Sequence, residues 1–326
     1  MKAWRIHEKG HHTKALSLED IPPPEPAAGE ARIRVRAGTV NFADILLCQG
    51  IYQDRPPVPF TPGLETAGIV EAVGPGVDLA VGEHVAAMSA LPAGGFAEQA
   101  LVRAPATVIF PRHIPFRDAT ILYSTYQTAH VALHHRGHLR AGEWLLVLAG
   151  ASGVGSAAIQ LGVAAKARVI ATAGSKAKLD LCREMGASHV IDHRNEDVAQ
   201  RLAEITGGRG VDVVFDPVGG PLSEAARRRL AWEGRYLVIG FAAGQIPAFP
   251  ANHVLVKNYT VLGVHWSAYT RHHKSVVDAA HKEIVALYEQ GSIRPIIAQT
   301  MGLEAVPQAL SALENRNAVG RLVLVP

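Results

Sequence analysis

The stretch "WLLVLAGASGVGSAAIQLGVAAKARVIATAGSKAK", residues 144–178, decides the fold. Residues 145–165 within it carry no charge, and a run of that length reaches the roughly 18 to 20 apolar residues that cross a bilayer as a helix. Composition argues against a span. Residues 145–149 suit a short buried strand, whereas Gly150, Ser152, Gly153 and Gly155 interrupt the run where a continuous helix would lose stability. From Ser156 onward Ala, Ile, Gln and Leu resume a helical rhythm, and Arg168–Ala173 follows as a second strand. Strand, glycine turn, helix, strand is a βαβ unit. The spacing is not a literal GxGxxG, so its weight comes from context. A glycine turn that follows a strand and opens a helix lets backbone N–H groups approach a pyrophosphate at the positive helix end. Gly150, Ser152, Gly153, Val154 and Gly155 are therefore assigned to a dinucleotide, the alternative being a tight turn without a ligand.

The end of the second strand selects the cofactor. NAD-binding units place Asp or Glu there, about 20 residues after the glycines, for the ribose 2′-hydroxyl. Here the chain reads "ATAGSKAK", with no carboxylate before Asp180. Ser175, Lys176 and Lys178 offer a hydroxyl and two cations instead, which suit a 2′-phosphate, so NADP(H) is expected.

Outward from this unit the alternation continues. Helices are expected over 155–165, 176–185, 195–206 and 221–230. Strands are expected at "HVIDH", "VDVVFD", "RYLVIGF" and "YTVLGVHW". Such alternation predicts a doubly wound parallel sheet. Residues 1–122 have another texture, with Pro, Gly and short β-like runs such as "ARIRVRAG" and "AGIVEAVG". After 266 the chain reads as helix near 271–290 and 304–315 and a closing "RLVLV" strand that returns to the β-rich part. The expected domains are 1–122, 123–266 and 267–326. The class is α/β.

The 326 residues are 48% hydrophobic and 19% charged, enough for a large core, and the formal net charge of +3 shows no basic stripe for nucleic acid. Arg227, Arg228 and Arg229 are read as a solvated helix face, and Arg32, Arg34 and Arg36 as the outward side of a strand. Two cysteines, Cys48 and Cys182, suggest no disulfide framework and read as small buried hydrophobes. The amino terminus lacks an apolar signal region, and a cytoplasmic location is expected.

The segments "VNFADILLCQGIY" (40–52), "PFTPGLETAGIVEAVGPGV" (59–77) and "GGFAEQALV" (94–102) precede "AGASGVGSAAIQLG", "DPVGG" (216–220) and "VLVKNYTVLGVHW" (254–266). Together they resemble the zinc-independent quinone oxidoreductases of the medium-chain dehydrogenase/reductase superfamily, nearly end to end. The resemblance implies a split GroES-like β-rich catalytic domain, a Rossmann NADP-binding domain and a cleft between them. Zinc-binding members carry a Cys near the position of Asp44 and Gly-His-Glu where this chain has Gly63, Leu64 and Glu65. Leucine cannot ligate a metal, so no metal is expected. The histidines at 11–12, 130–138 and 272–273 are read as exposed polar positions.

The resemblance further implies roles for Asn41, Asp44 and Tyr52 in the catalytic region. Tyr52 is either the proton donor or a packing tyrosine; Asn41 and Asp44 serve the site or cap their helix. Thr128 is placed near the nicotinamide, and Trp266 is either an aromatic pocket residue or part of the core. Val218 and Gly219, then Gly240 and Phe241, are placed at the ends of the fourth and fifth strands, beside the nicotinamide. Ser175, Lys178, His193 and Arg316 are placed at the 2′-phosphate, with His193 where a tyrosine is usual. The function implied is NADPH-dependent hydride delivery to a quinone or related conjugated acceptor, by a homodimer. The rivals are an enone or 2-enoyl-thioester reductase and a low-turnover NADPH-binding structural or RNA-contacting protein.

Overall fold

The computed structural model describes residues 1–315 and 319–326. The strands in chain order begin with β1 (Lys2–Ile6), β2 (Leu16–Asp20), β3 (Glu30–Thr39), β4 (Glu65–Val73), β5 (His84–Ser89) and β6 (Gln99–Ile109). Next come β7 (Trp144–Val147), β8 (Arg168–Ala173), β9 (His189–Asp192), β10 (Val211–Asp216), β11 (Leu230–Val238) and β12 (Thr260–Gly263). The last are β13 (Ile297–Gly302) and β14 (Arg321–Val325). Two compact units contain them: Met1–Ser124 with Ile297–Pro326, and Thr125–Ile296.

The first unit is built on a sheet of order β13-β14-β3-β4-β5-β6, in which β6 also pairs with β3, so the sheet closes on itself. Alternation in β3 explains the closure. Ile33 and Val35 face inward with Val70, Val85, Ala100 and Val102, while Arg34 and Arg36 are exposed. A second cluster joins Trp4, Ile45, Leu47, Phe60 and Phe96 to Leu303, Val306, Leu310 and Leu322, which binds the returning tail to the amino-terminal part.

The second unit has a parallel sheet of order β12-β11-β10-β7-β8-β9. The chain runs outward from β7 through β8 to β9, then crosses back to β10 and runs the other way. This reversal makes a switch point between the carboxyl ends of β7 and β10, where open parallel sheets receive ligands. Leu146, Ile170, Val214 and Tyr236 fill one face of the sheet. No helix among the described residues is long and apolar enough to cross a membrane.

The return to the first unit comes at Ile297, not at 267 as the sequence suggested. The helices Trp266–His272 and Lys274–Glu289 stay with the second unit because specific contacts hold them there. Trp266 Nε1 donates to Gln127 Oε1 (3.2 Å), His130 meets Glu283 (2.7 Å), and Gln160 is bonded in both directions to the backbone of Arg294. The strand expected to include Trp266 ends at Gly263, and Trp266 opens a helix. Arg227 is also corrected: it is buried at 4% exposure, forked onto Glu224 (2.6 Å) and set against His253 (2.6 Å). His12 and His130, expected on the surface, are buried.

Candidate active site

In the second unit, Leu146, Leu148 and their neighbours bury β7, and the chain then turns through Ala149, whose φ is +51°. Gly150 has no room for a side chain: a Cβ there would lie 2.8 Å from Cys182 Sγ and 2.9 Å from both Ala171 and Ile159. Ser152 caps the helix Gly153–Ala164 by accepting the Gly155 N–H (3.2 Å), and Ser156 donates to the Gly153 carbonyl (2.8 Å). The first-turn N–H groups of Gly153 and Val154 have no partner inside the helix and form the positive end of its dipole. Gly155 lets this turn close, since a Cβ would lie 2.2 Å from the Ala149 carbonyl oxygen. Turn, cap and open N–H groups make an anion cradle at the end of β7.

The end of β8 supplies the second part. Ser175 precedes the helix Lys176–Glu184 with its hydroxyl exposed and not spent on the cap. Asp180 is held by Lys176 and Arg183, each at 2.6 Å, so it neutralises cations on that helix. His193 and Arg194, just past β9, reach to within 3.0 and 2.9 Å of where a Gly174 Cβ would stand. Burial, then Arg194, lowers the His193 pKa, with a smaller push from Lys178 in the same direction. The structure thus brings Ser175, Lys178 and His193 together. It adds Arg194, which sequence reasoning missed although it directly follows His193. Arg316 lies outside the described residues.

At β10 the organiser is Asp216, also missed from sequence. Its Oδ1 accepts the N–H groups of Val218 (2.7 Å) and Gly219 (3.0 Å), and its Oδ2 accepts the hydroxyls of Ser223 and Tyr236. Val218 and Gly219 therefore offer shape and carbonyls, since their N–H groups are occupied. Gly219 and Gly220, with φ of +76° and +65°, make the turn that only glycine adopts readily. Gly240 and Phe241 lie just beyond β11, which stops at Val238, and this loop is laced to the Asp216 loop by Ala243 N–H to the Val218 carbonyl (2.8 Å). The signal in the sequence was an aspartate at a strand end three residues before a pair of glycines. Thr128 is half-buried on the short helix Gln127–His130, next to Gln127, which anchors Trp266; Trp266 is 5% exposed.

In the first unit, Asp44 sits in the first turn of the helix Phe42–Gln49, fully buried. Its two oxygens accept the backbone N–H groups of Asn41 (2.8 Å) and Leu64 (3.0 Å). Burial pushes its carboxyl up to about 7, against the pull of those two N–H groups. Asn41 Oδ1 accepts from Arg321 Nη2 (2.7 Å), which also reaches Glu65 (3.2 Å), and Thr39 donates to Glu65 as well. The carboxylates of Asp44 and Glu65 are thus committed to protein donors, and Leu64, next to Glu65, is buried and apolar. Tyr52 is half-buried against the cluster containing Leu47 and Phe60, and burial raises its pKa, so its phenol stays protonated at neutral pH.

Residues 153–282 match the family model described as zinc-binding dehydrogenase, and residues 27–112 match that of the alcohol dehydrogenase GroES-like domain. The chain is 33% identical to a quinone oxidoreductase-like protein 2 homolog of Nematostella vectensis, over 99% of this chain and 89% of that protein. Among solved structures it is similar to the Escherichia coli quinone oxidoreductase complexed with NADPH (TM-score 0.91, 29% identity, all of both chains). It is also similar to a mycobacterial protein complexed with NADPH (TM-score 0.92, 29% identity, all of both chains).

Proposed function

Because this chain belongs to the quinone oxidoreductase family of the medium-chain dehydrogenase/reductase superfamily, we propose that it is an NADPH-dependent, zinc-free reductase of quinones or related conjugated acceptors. The observation that carries this reading is the commitment of Asp44 and Glu65 to protein donors around an apolar Leu64. A site without a Lewis acid favours an acceptor that takes hydride without metal polarisation, as a quinone does.

The residues present fit NADPH. The turn from Gly150 through Ser152, Gly153, Val154 and Gly155 would hold the pyrophosphate, and Ser175, Lys178, His193 and Arg194 the 2′-phosphate, with the carboxylates of Asp180 and Asp192 already engaged by Lys176, Arg183, Asn195 and the Arg194 N–H. Val218, Gly219, Gly240 and Phe241 would border the nicotinamide with Thr128 and Trp266. When bound, NADPH supplies the hydride. The chain's own groups bind, orient and exclude water: Asp216 fixes the loop, Asn41 and Asp44 fix the helix start ahead of Tyr52, and the Tyr52 phenol is held in its proton-donating form. The reading includes a homodimer. Its support is β12, an edge strand, beside the helix Ala251–Lys257, which buries none of its residues and exposes Leu255 and Val256 at 75% and 71%.

The test follows NADPH consumption, with NADH as control, against 1,4-benzoquinone, 9,10-phenanthrenequinone, an alkenal and crotonyl-CoA, using wild type and Tyr52→Phe. Quinone turnover that prefers NADPH and falls less than about threefold in Tyr52→Phe is expected, because a reduced quinone can take its protons from water. Turnover confined to the alkenal or thioester and lost with the hydroxyl would reject the quinone reading in favour of an enone or enoyl-thioester reductase. Tight NADPH binding without turnover would reject both in favour of a binding protein.

A further inference from the structure

His11, His12 and Glu314 belong to none of the groups above. They bring together the single helical turn His12–Ala15, between β1 and β2, and the end of the helix Val306–Glu314. Each offers a ligand atom within 4.8 Å of those of the other two. His11 Nε2 stands 3.1 Å from Glu314 Oε2, and the two imidazoles stack with centroids 4.3 Å apart. The side chains of His11 and Glu314 are 46% and 34% exposed, while His12 is completely buried. The cluster therefore has a dry floor and an open mouth.

The hydrogen bonds of His12 fix its tautomer. Ser311 Oγ donates to the Pro307 carbonyl (2.9 Å), so its 2.9 Å contact with His12 Nε2 has the imidazole N–H as donor. The lone pair is left on Nδ1, which is buried and meets no donor among the described residues. Buried polar atoms are almost always satisfied, and this lone pair belongs to a residue grouped with two other metal-ligand side chains, where a cation would satisfy it.

We propose that His11, His12 and Glu314 form a site for a borderline divalent cation of the zinc type, which ties the amino-terminal segment to the helix Val306–Glu314. Two imidazoles and a carboxylate suit Zn²⁺, Co²⁺, Ni²⁺ or Cu²⁺ rather than Mg²⁺ or Ca²⁺. Zinc bonds of about 2.0 to 2.2 Å set tetrahedral ligand atoms about 3.4 Å apart, so His11 and Glu314 are already near that spacing and small side-chain movements bring in His12. Water completes the shell at the open mouth. The bond would join residues about 300 positions apart, so the ion's effect is on stability.

The experiment uses the full chain, stripped with a chelator, then titrated with ZnCl₂ by calorimetry and melted with and without the metal. Because the chain has 16 histidines, substitutions decide the location. One equivalent of Zn²⁺ is expected to bind in the low micromolar range or tighter and to raise Tm by several degrees, with Mg²⁺ inert. His11→Asn and Glu314→Gln should each weaken that equivalent at least tenfold and remove the Tm rise, whereas His134→Asn should do neither. The Tm values of the metal-free variants check that they fold. Co²⁺ on the wild type gives a second readout, the visible absorption of a tetrahedral site. Absence of a stoichiometric ion and of the Co²⁺ band would overturn the proposal. So would binding that survives both substitutions, which would place the ion elsewhere.

Discussion

Asp44 is a carboxyl group shut off from water, and its protonation has a sign that can be measured. Burial raises its pKa from 3.8 to about 7, with the Asn41 and Leu64 N–H groups and Arg321 opposing and Glu65 adding to the rise. Between about pH 4 and 7 the folded chain then keeps a proton that the unfolded chain has released. Stability falls as pH rises through that window, by up to about 1.4 kcal/mol per pH unit from this group, and the group contributes no slope outside it. Asp44→Asn removes the titration. We expect the stability of the variant relative to wild type to improve steadily from pH 4 to 7 and to level off above, in urea unfolding at each pH. A difference that stays constant over that range would show that Asp44 ionises alike in both states. At this scale the sequence revealed residue types but not commitments. Asn41, Asp44 and Glu65 stand out in "VNFAD" and "GLE", yet that Asn41 and Glu65 share Arg321 depends on β14 lying beside β3, and that Asp44 accepts the Leu64 N–H depends on a chain approach twenty residues on. Asp216 stayed hidden for the same reason, since its partners Ser223 and Tyr236 come from later elements.

The element that carries the cofactor reading is the turn between β7 and the helix Gly153–Ala164, and its constraint is steric. A Cβ on Gly155 would stand 2.2 Å from the Ala149 carbonyl oxygen and 2.9 Å from Ser152 Oγ. Neither can retreat, because Ala149 holds a left-handed φ and Ser152 is the cap. Gly155→Ala must shift the helix start, which we expect to cost about 1 to 3 kcal/mol in denaturant unfolding, as overpacking does. NADPH affinity by fluorescence titration should fall at least tenfold. Gly10→Ala, where a Cβ meets nothing within 4 Å, is the control and should change neither. An unaltered affinity in Gly155→Ala would remove the pyrophosphate from this turn. This element was readable in advance because three glycines cluster within six residues of an apolar run, and β8 begins and ends where its alternation with the flanking loops said. Others were not. Strand β11 starts at Leu230, five residues before the expected "RYLVIGF", because Glu233 takes a φ of +57° beside Gly234 and the strand passes through an irregularity that reads as a turn. The segments Leu122–Tyr126 and Val131–Arg136 wind as π-helix, a departure with no compositional signature.

Across the whole molecule, the two textures of the chain, β-rich and alternating, were legible because the period of the hydrophobic pattern differs between them. The point of return at Ile297 was not, since it depends on single contacts such as His130 with Glu283. The surface left over by this architecture argues for a second copy. Strand β12 pairs with β11 on one side, and its other edge presents unpaired backbone groups, with Val261 36% exposed. The neighbouring helix Ala251–Lys257 packs Val254 against the core but has no fully buried residue, and its Leu255 and Val256 are among the most exposed large apolar residues described. An apolar helix face beside an open sheet edge is covered in stable proteins, and pairing of two identical edges about a two-fold axis covers both at once. We therefore expect wild type to sediment as a dimer, and Leu255→Glu with Val256→Glu to sediment as a monomer that retains the fold of each unit by circular dichroism. The charges would face each other across the axis, adding repulsion to the lost apolar contact. A monomeric wild type would reject the dimer, and a dimer indifferent to both charges would move the interface to another face.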